Sequence, residues 1–122
     1  ATDGSQVAIE IVKRDAAALG VAVDACVADL DKHEFTIAPS TWDLILICSY
    51  YQPDLYEKAI RGLAPGGTII ASALLATPGK HRFRVEPGQF AKYFSGLEIL
   101  RNQETNGAHP IAEIVARRSV VA

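Results

Sequence analysis

The sequence contains no methionine among its 122 residues, only two cysteines and a single tryptophan. Without methionine, the printed chain does not begin at an ordinary translation start, so we expect a piece of a longer protein or a processed chain. No apolar run approaches the about 20 residues of a membrane span. No charged start followed by an apolar core is typical of a signal peptide. We therefore expect a cytoplasmic protein with no membrane partner.

Neither positive nor negative charge predominates, since the formal net charge is -2. This balance gives no reason to expect a nucleic-acid partner or an anionic membrane partner. The chain is 49% hydrophobic and 21% charged, which is typical of a folded protein. Its length suits one small domain.

The cysteines and histidines show no metal-ligand spacing. Cys26 and Cys48 lie in or beside apolar segments, and we expect two buried, reduced thiols. His33, His81 and His109 are far apart in the sequence, so we expect no metal site.

The first 41 residues predict a strand end, a helix and a strand. Ser5 is a suitable N-cap and Gly20 a suitable C-cap for the helix. Residues 21–28 read as a strand, followed by a polar loop. The helix presents apolar residues at helical spacing: Ala8, Ile9, Val12, Ala16 and Leu19.

The remainder alternates strands and helices before a closing hairpin. Residues 42–48 are continuously apolar, which predicts a central parallel strand buried on both faces. Pro53 opens a helix, residues 68–73 form a strand, and Pro87 opens another helix with Phe90, Tyr93 and Phe94 facing inward. Residues 97–103 and 111–117 predict an antiparallel pair. This alternation indicates an α/β fold.

One segment stands out between two of these strands, Leu63-Ala64-Pro65-Gly66-Gly67-Thr68. With residues 83–90, 94–100 and 112–118, it resembles the second half of a class I S-adenosylmethionine-dependent methyltransferase. The similarity is greatest to the tellurite-resistance-type subgroup. The resemblance implies a Rossmann-like three-layer sandwich with a mostly parallel sheet and a C-terminal antiparallel hairpin.

The sequence departs from that family in one motif. Members hold the cofactor with a glycine-rich loop after their first strand, and no G-x-G pattern occurs here. We therefore interpret residues 1–122 as a partial methyltransferase domain, running from the end of the second strand to the last, with the N-terminal strand–helix unit missing. We expect weak or no cofactor binding by this chain alone. We also expect a homo-oligomer, because unpaired strand edges recruit other strands.

The resemblance implies a set of S-adenosylmethionine-binding residues. Asp3 would accept hydrogen bonds from the ribose hydroxyls, with Gly4 and Ser5 beside it. Asp29 would accept from the adenine amino group, and Leu30 would offer a backbone N–H. An aspartate in a turn or at a strand end explains the same residues without a ligand.

The implied site continues after the next strand. The backbone of Cys48 and Ser49 would line the methionine portion of the cofactor, unless these residues only pack at a strand end. Tyr50 and Tyr51 would face the methyl acceptor, or they pack against a helix start. Lys80, His81, Arg82 and Arg84 would attract an anionic substrate or form a solvated loop.

The expected activity is methyl transfer to a small nucleophilic acceptor. The reaction depends on positioning more than on covalent help from the protein, so no catalytic residue is identified. The subgroup implies a soft acceptor, such as a tellurium or selenium oxyanion or a small thiol. One alternative is a truncated, non-catalytic methyltransferase-like fragment that oligomerises through exposed sheet edges. A nicotinamide-dependent Rossmann enzyme is another.

Overall fold

A computed structural model describes residues 1–32 and 34–120. The chain divides into two compact units, Ala1–Thr36 and Ile37–Ala122. His33 lies outside the described residues. The interpretation of residues 1–122 as one partial domain stays a prediction.

The first unit is a strand–helix–strand arrangement. Strand β1 (Thr2–Asp3) pairs in parallel with β2 (Cys26–Val27), and helix α1 (Gln6–Leu19) connects them. The Ser5 hydroxyl accepts the Ala8 N–H at 3.2 Å, and Gly20 ends the helix with a left-handed φ of 67°. Both predicted caps are confirmed, because each depends on local chemistry alone.

Three expectations for the first unit are wrong. The strand predicted over residues 21–28 shrinks to Cys26–Val27, because β1 offers only two residues for pairing. Cys26 is exposed rather than buried, since this short strand buries neither of its side chains. Leu19, expected on the inward face of α1, is 77% exposed in the last turn of the helix.

The second unit is built on a four-stranded mixed sheet in the order β3-β4-β6-β5. Strand β3 (Trp42–Ile47) pairs in parallel with β4 (Leu63–Leu74). Strand β6 (Ile111–Arg117) is antiparallel both to β4 and to β5 (Glu98–Glu104). The predicted antiparallel pairing of the last two strands is therefore present.

One face of this sheet carries the core. Helix α2 (Pro53–Gly62) and a 3₁₀ helix (Phe90–Phe94) contribute to it, with Pro53 in the first helical turn as predicted. Phe90 and Phe94 are buried, as expected for inward-facing residues. The core consists of Tyr56, Ala59, Leu63, Ile69, Ala71, Ala73, Leu75, Val85, Phe90, Phe94, Ala112, Ile114 and Ala116.

The expectation that β3 is a central strand buried on both faces is wrong. Within this sheet β3 has β4 as its neighbour and lies at an edge. Ile45 and Ile47 pack against the core, whereas Leu44 and Leu46 are 52% and 57% exposed on the opposite face. Successive strand residues alternate between faces, so an apolar run cannot by itself report how many faces are covered. Cys48, just beyond β3, is likewise exposed rather than buried.

The Pro-Gly-Gly segment belongs to β4, which begins at Leu63 rather than at the predicted residue 68. Gly66 has a φ of 80°, a left-handed conformation that glycine adopts without steric cost. A Cβ atom on Gly67 would lie 2.7 Å from the Trp42 carbonyl oxygen and 2.9 Å from that of Ala64. Gly67 therefore allows the close approach of β3 to the start of β4.

An α/β fold with a mixed sheet is thus present, while the three-layer sandwich stays a prediction. Neither helix of residues 1–32 and 34–120 has the length and apolarity needed to cross a membrane.

Candidate functional site

Two acidic residues lie at one end of the small sheet in the first unit. Asp3 is the last residue of β1, and the Ala28 N–H donates to its carbonyl oxygen at 3.0 Å. Asp29 follows one residue later, so parallel pairing places both aspartates at the carboxyl ends of neighbouring strands. Ligands of open α/β sheets bind at such strand ends.

The local hydrogen bonds fix both carboxylates. Asp3 Oδ1 accepts the Ser5 N–H at 2.8 Å, and Asp29 Oδ1 accepts the Asp31 N–H at 3.0 Å. Lys32 Nζ lies 3.9 Å from Asp29 Oδ2. Each aspartate therefore stabilises its own turn. Among residues 1–32 and 34–120, the second carboxylate oxygen of Asp3 accepts no hydrogen bond.

Gly4, Ser5 and Leu30 complete the predicted group in the first unit. The Ser5 hydroxyl is engaged as the cap of α1. A Cβ atom on Gly4 would lie 3.7 Å from the Ala28 carbonyl oxygen, which is ordinary contact, so a side chain would fit there. Leu30 begins a short 3₁₀ helix, Leu30–Lys32.

In the second unit, Cys48 and Ser49 follow the carboxyl end of β3. Ser49 has a φ of 52°, an uncommon conformation for a residue other than glycine. Its N–H donates to Ser72 Oγ at 2.8 Å, and the next N–H, of Tyr50, donates to the Ser72 carbonyl oxygen at 3.1 Å. Ser72 in β4 thus holds the chain as it leaves β3, and strained backbone of this kind clusters at functional sites.

Tyr50 and Tyr51 differ in what their hydroxyl groups contact. The Tyr50 hydroxyl donates to Gln52 Oε1 at 2.7 Å, and the Tyr50 carbonyl oxygen accepts from the Tyr56 hydroxyl. The Tyr51 hydroxyl lies 2.6 Å from that of Tyr93, and we call these two residues the phenol pair. Burial, the hydrogen bond to Tyr93 and the negative charge of Glu86 raise the pKa of Tyr51 to about 12. The Tyr51 hydroxyl therefore keeps its proton at physiological pH.

Tyr93 and Glu86 are site residues that sequence reasoning missed. Tyr93 was expected only to face inward from its helix, yet its hydroxyl reaches a residue 42 positions earlier. Glu86 Oε1 lies 3.0 Å from His81 Nδ1, and Gln89 donates its N–H to the Glu86 carbonyl oxygen at 3.1 Å. No spacing rule links Tyr93 to Tyr51, so folding alone brings their hydroxyl groups together.

The basic loop makes mostly local contacts. An Arg84 guanidinium nitrogen donates to the Leu75 carbonyl oxygen at 3.2 Å, and the Arg82 guanidinium lies 4.8 Å from the Phe83 ring centroid. Lys80 pairs through its backbone with Thr77. The structure thus brings Asp3 and Asp29 together in one unit, and Cys48, Ser49 and the phenol pair together in the other.

Among known proteins, this chain is similar to solved structures in its fold. No protein-family model matches the sequence, and no curated protein matches it. The structure is similar to that of TehB from Haemophilus influenzae, with a TM-score of 0.80 at 14% identity, covering 97% of this chain and 49% of TehB. The chain therefore spans about half the length of TehB.

Two further structures widen the comparison. Geranyl diphosphate methyltransferase, solved in complex with S-adenosylmethionine (SAM), has a TM-score of 0.72 at 12% identity, covering 96% of this chain and 67% of the enzyme. The [4+2]-cyclase SpnF has a TM-score of 0.74 at 14% identity, covering 98% of this chain and 65% of the cyclase. The chain has the fold of SAM-dependent methyltransferases, and the same fold also occurs in an enzyme named for a different reaction.

Proposed function

We propose that this chain carries cofactor-binding and acceptor-binding parts of a SAM-dependent methyltransferase that acts on a small nucleophilic acceptor. The observation that carries the proposal is the fold, which nearly the whole chain shares with an enzyme solved with that cofactor. The two aspartates at the carboxyl ends of β1 and β2 support it. This chain spans only part of the length of those enzymes. Methyl transfer by the whole protein is therefore proposed along with the roles of these residues.

The residues present fit the cofactor. The second carboxylate oxygen of Asp3 can accept hydrogen bonds from the ribose diol. Asp29 can accept a hydrogen bond from the adenine amino group beside Leu30. Cys48 and Ser49, which follow the carboxyl end of β3, would line the methionine portion. When bound, the cofactor supplies a methyl group activated by a sulfonium. In this proposal, Tyr50 and Tyr51 position the acceptor.

Several finer statements belong to the same proposal. The sequence resemblance supports the tellurite-resistance-type subgroup. The edge position of β3 supports a homo-oligomer, because an edge strand presents unpaired backbone groups to another chain. We also propose a cytoplasmic location, without a nucleic-acid partner.

A non-catalytic role is the second candidate. The edge position and the exposed side chains of β3 favour a methyltransferase-like chain that assembles through its sheet edges. Such a chain would oligomerise without binding the cofactor, which separates the two candidates.

Calorimetric titration with SAM tests the proposed function. We expect weak binding, and we expect Asp3→Asn to weaken it by about tenfold, because a hydrogen bond to a charged group is worth about 1.5–3 kcal/mol. Asp15→Asn makes the same chemical change at an exposed position on α1 and should bind like the original chain.

Two results would contradict the proposal. One is unchanged affinity in Asp3→Asn. The other is tighter binding of NADH than of SAM, which would favour the nicotinamide-dependent alternative.

A further inference from the structure

A groove in the second unit lies between strand β5 and the turn that leads into the 3₁₀ helix. Its volume is about 250 Å³, and it is lined by Gly88, Phe90, Ala91, Asn102 and Glu104. Pockets that hold cofactors or drug-sized ligands are larger, at about 300–1,000 Å³. The groove therefore has room for one side chain or one small molecule.

Asn102 and Glu104 form the wall of the groove that belongs to β5. Their cross-strand partners in β6 are Ile114 and Ala112, two core residues with 0% exposure. Cross-strand partners share a face of the sheet, and so do residues two positions apart in a strand. The side chains of Asn102 and Glu104 therefore lie on the same face as the core, with Cα atoms roughly 7 Å apart along the strand.

The opposite wall is held by a hydrogen bond and by aromatic packing. Gly88 has a left-handed φ of 78°, and its N–H donates to Glu104 Oε2 at 2.9 Å. This hydrogen bond joins the two walls and orients the Glu104 carboxylate. The buried Phe90 ring packs against the rings of Tyr56 and Phe94, with centroid distances of 5.5 and 5.3 Å. The groove is therefore formed without a ligand.

Glu104 gives the groove a negative charge. Within residues 1–32 and 34–120, this carboxylate forms no salt bridge and its Oε1 accepts no hydrogen bond. The Asn102 side chain has no hydrogen-bond partner in the same part of the chain. Two oxygens, Glu104 Oε1 and Asn102 Oδ1, are thus open to a cation that carries several N–H donors.

A guanidinium group matches this arrangement better than an ammonium group does. Its planar fork of N–H donors can bond a carboxylate and a second oxygen at once. It is also more weakly hydrated than an ammonium, so it loses less hydration beside the apolar atoms of Phe90 and Ala91. A neutral urea group of the same shape lacks the charge that would pair with Glu104.

We propose that this groove is a binding site for a guanidinium group, such as that of an arginine side chain. The proposal goes beyond methyl transfer and does not depend on it. The guanidinium can belong to a free small molecule or to a peptide, because β5 lies at an edge of its sheet and an extended peptide can pair beside it.

A backbone ¹⁵N NMR titration of the chain with N-acetylarginine amide tests the site. We expect saturable shifts at Gly88, Ala91, Asn102 and Glu104. N-acetylcitrulline amide, the neutral compound of the same shape, should bind at least about tenfold more weakly, because it forms no charge-assisted hydrogen bond. N-acetyllysine amide should also bind more weakly than the arginine compound.

An extended pentapeptide with arginine at its centre distinguishes the two sources of the guanidinium group. If it binds more tightly than N-acetylarginine amide, the site takes an arginine from a peptide strand. Equal affinity of the two would assign the site to a free small molecule.

Two variants test the two open oxygens. Glu104→Gln removes the charge but keeps an oxygen that can accept the Gly88 N–H, and it should weaken binding of N-acetylarginine amide by about tenfold. Asn102→Ala should weaken binding by about fivefold, through loss of one neutral hydrogen bond. Glu57→Gln makes the first change at an exposed position on α2 and should bind like the original chain.

Three results would each overturn the guanidinium site. They are no saturable shift with N-acetylarginine amide, citrulline binding as tight as arginine binding, and full affinity in Glu104→Gln. Asn102→Ala leaves the hydrogen bond between Gly88 and Glu104 intact, so its affinity decides the question if Glu104→Gln does not fold. Full affinity in Asn102→Ala would then overturn the site.

Discussion

Tyr51 holds its phenolic proton more firmly than an ordinary tyrosine. Burial of the ring comes first among the causes, followed by the hydrogen bond to Tyr93 and the negative charge of Glu86. Tyr56 is affected in the same direction: burial raises its pKa, against the opposing effect of a hydrogen bond from the Gln52 backbone. Both side chains therefore stay protonated at physiological pH.

Absorbance titration of the tyrosines checks this assignment. The component that disappears in Tyr51→Phe should titrate with a midpoint near pH 12, compared with 10.0 for an unperturbed phenol. In Tyr93→Phe the Tyr51 midpoint should fall, yet stay above 10.0 because burial persists. A lost component centred near pH 10 would show that Tyr51 is not perturbed.

The same raised pKa links folding to pH. Between pH 10 and about 12 the folded chain keeps the Tyr51 proton and the unfolded chain releases it. The contribution to stability is thus fully present below pH 10 and is lost as the pH rises through this window.

Among the secondary-structure elements, α1 was predictable because its ends depend on local chemistry. The Ser5 cap and the left-handed Gly20 need no information from distant residues. The extent of β2 and the burial of β3 were not predictable, since both depend on which strand lies alongside. An apolar sequence such as residues 42–48 has the same composition at a sheet edge and at its centre.

The candidate site, too, could be predicted from the sequence only in part. Asp3 and Asp29 were placed correctly at strand ends by the order of elements. Their roles toward a cofactor stay predictions. Tyr93 could not be assigned to the site from sequence, because its hydroxyl meets that of Tyr51 only once the chain has folded.

The close approach at Gly67 gives a stability prediction for β4. Gly67→Ala should destabilise the fold by about 1–3 kcal/mol, because the new methyl group would overlap backbone oxygens of Trp42 and Ala64. Urea unfolding measures the effect. Gly96→Ala is the matched control, since a Cβ atom there meets nothing within 4 Å. Equal stability of the two variants would contradict the account of the β3–β4 contact.

At the scale of the whole molecule, the edge position of β3 supports the proposed self-association. Leu44, Leu46 and Ile70 are each more than 40% exposed on the outer face of the sheet in the second unit. Light scattering over a range of concentrations should give a mass above that of one chain. Leu46→Lys should shift the population toward the monomer, because a charged side chain opposes association through this face.

Val7→Lys provides the control for that experiment. It introduces the same charge at a residue of α1 that is 66% exposed. It should leave the mass unchanged. A monomer at every concentration in the original chain would rule out the proposed homo-oligomer.

A backbone ¹⁵N NMR titration with SAM tests the proposed cofactor site residue by residue. We predict weak, saturable shifts at Asp3, Ser5, Asp29, Leu30 and Ser49, the residues placed at the strand ends of the two units. Absence of shifts at these positions in a folded sample, or shifts confined to other residues, would contradict the proposed cofactor site.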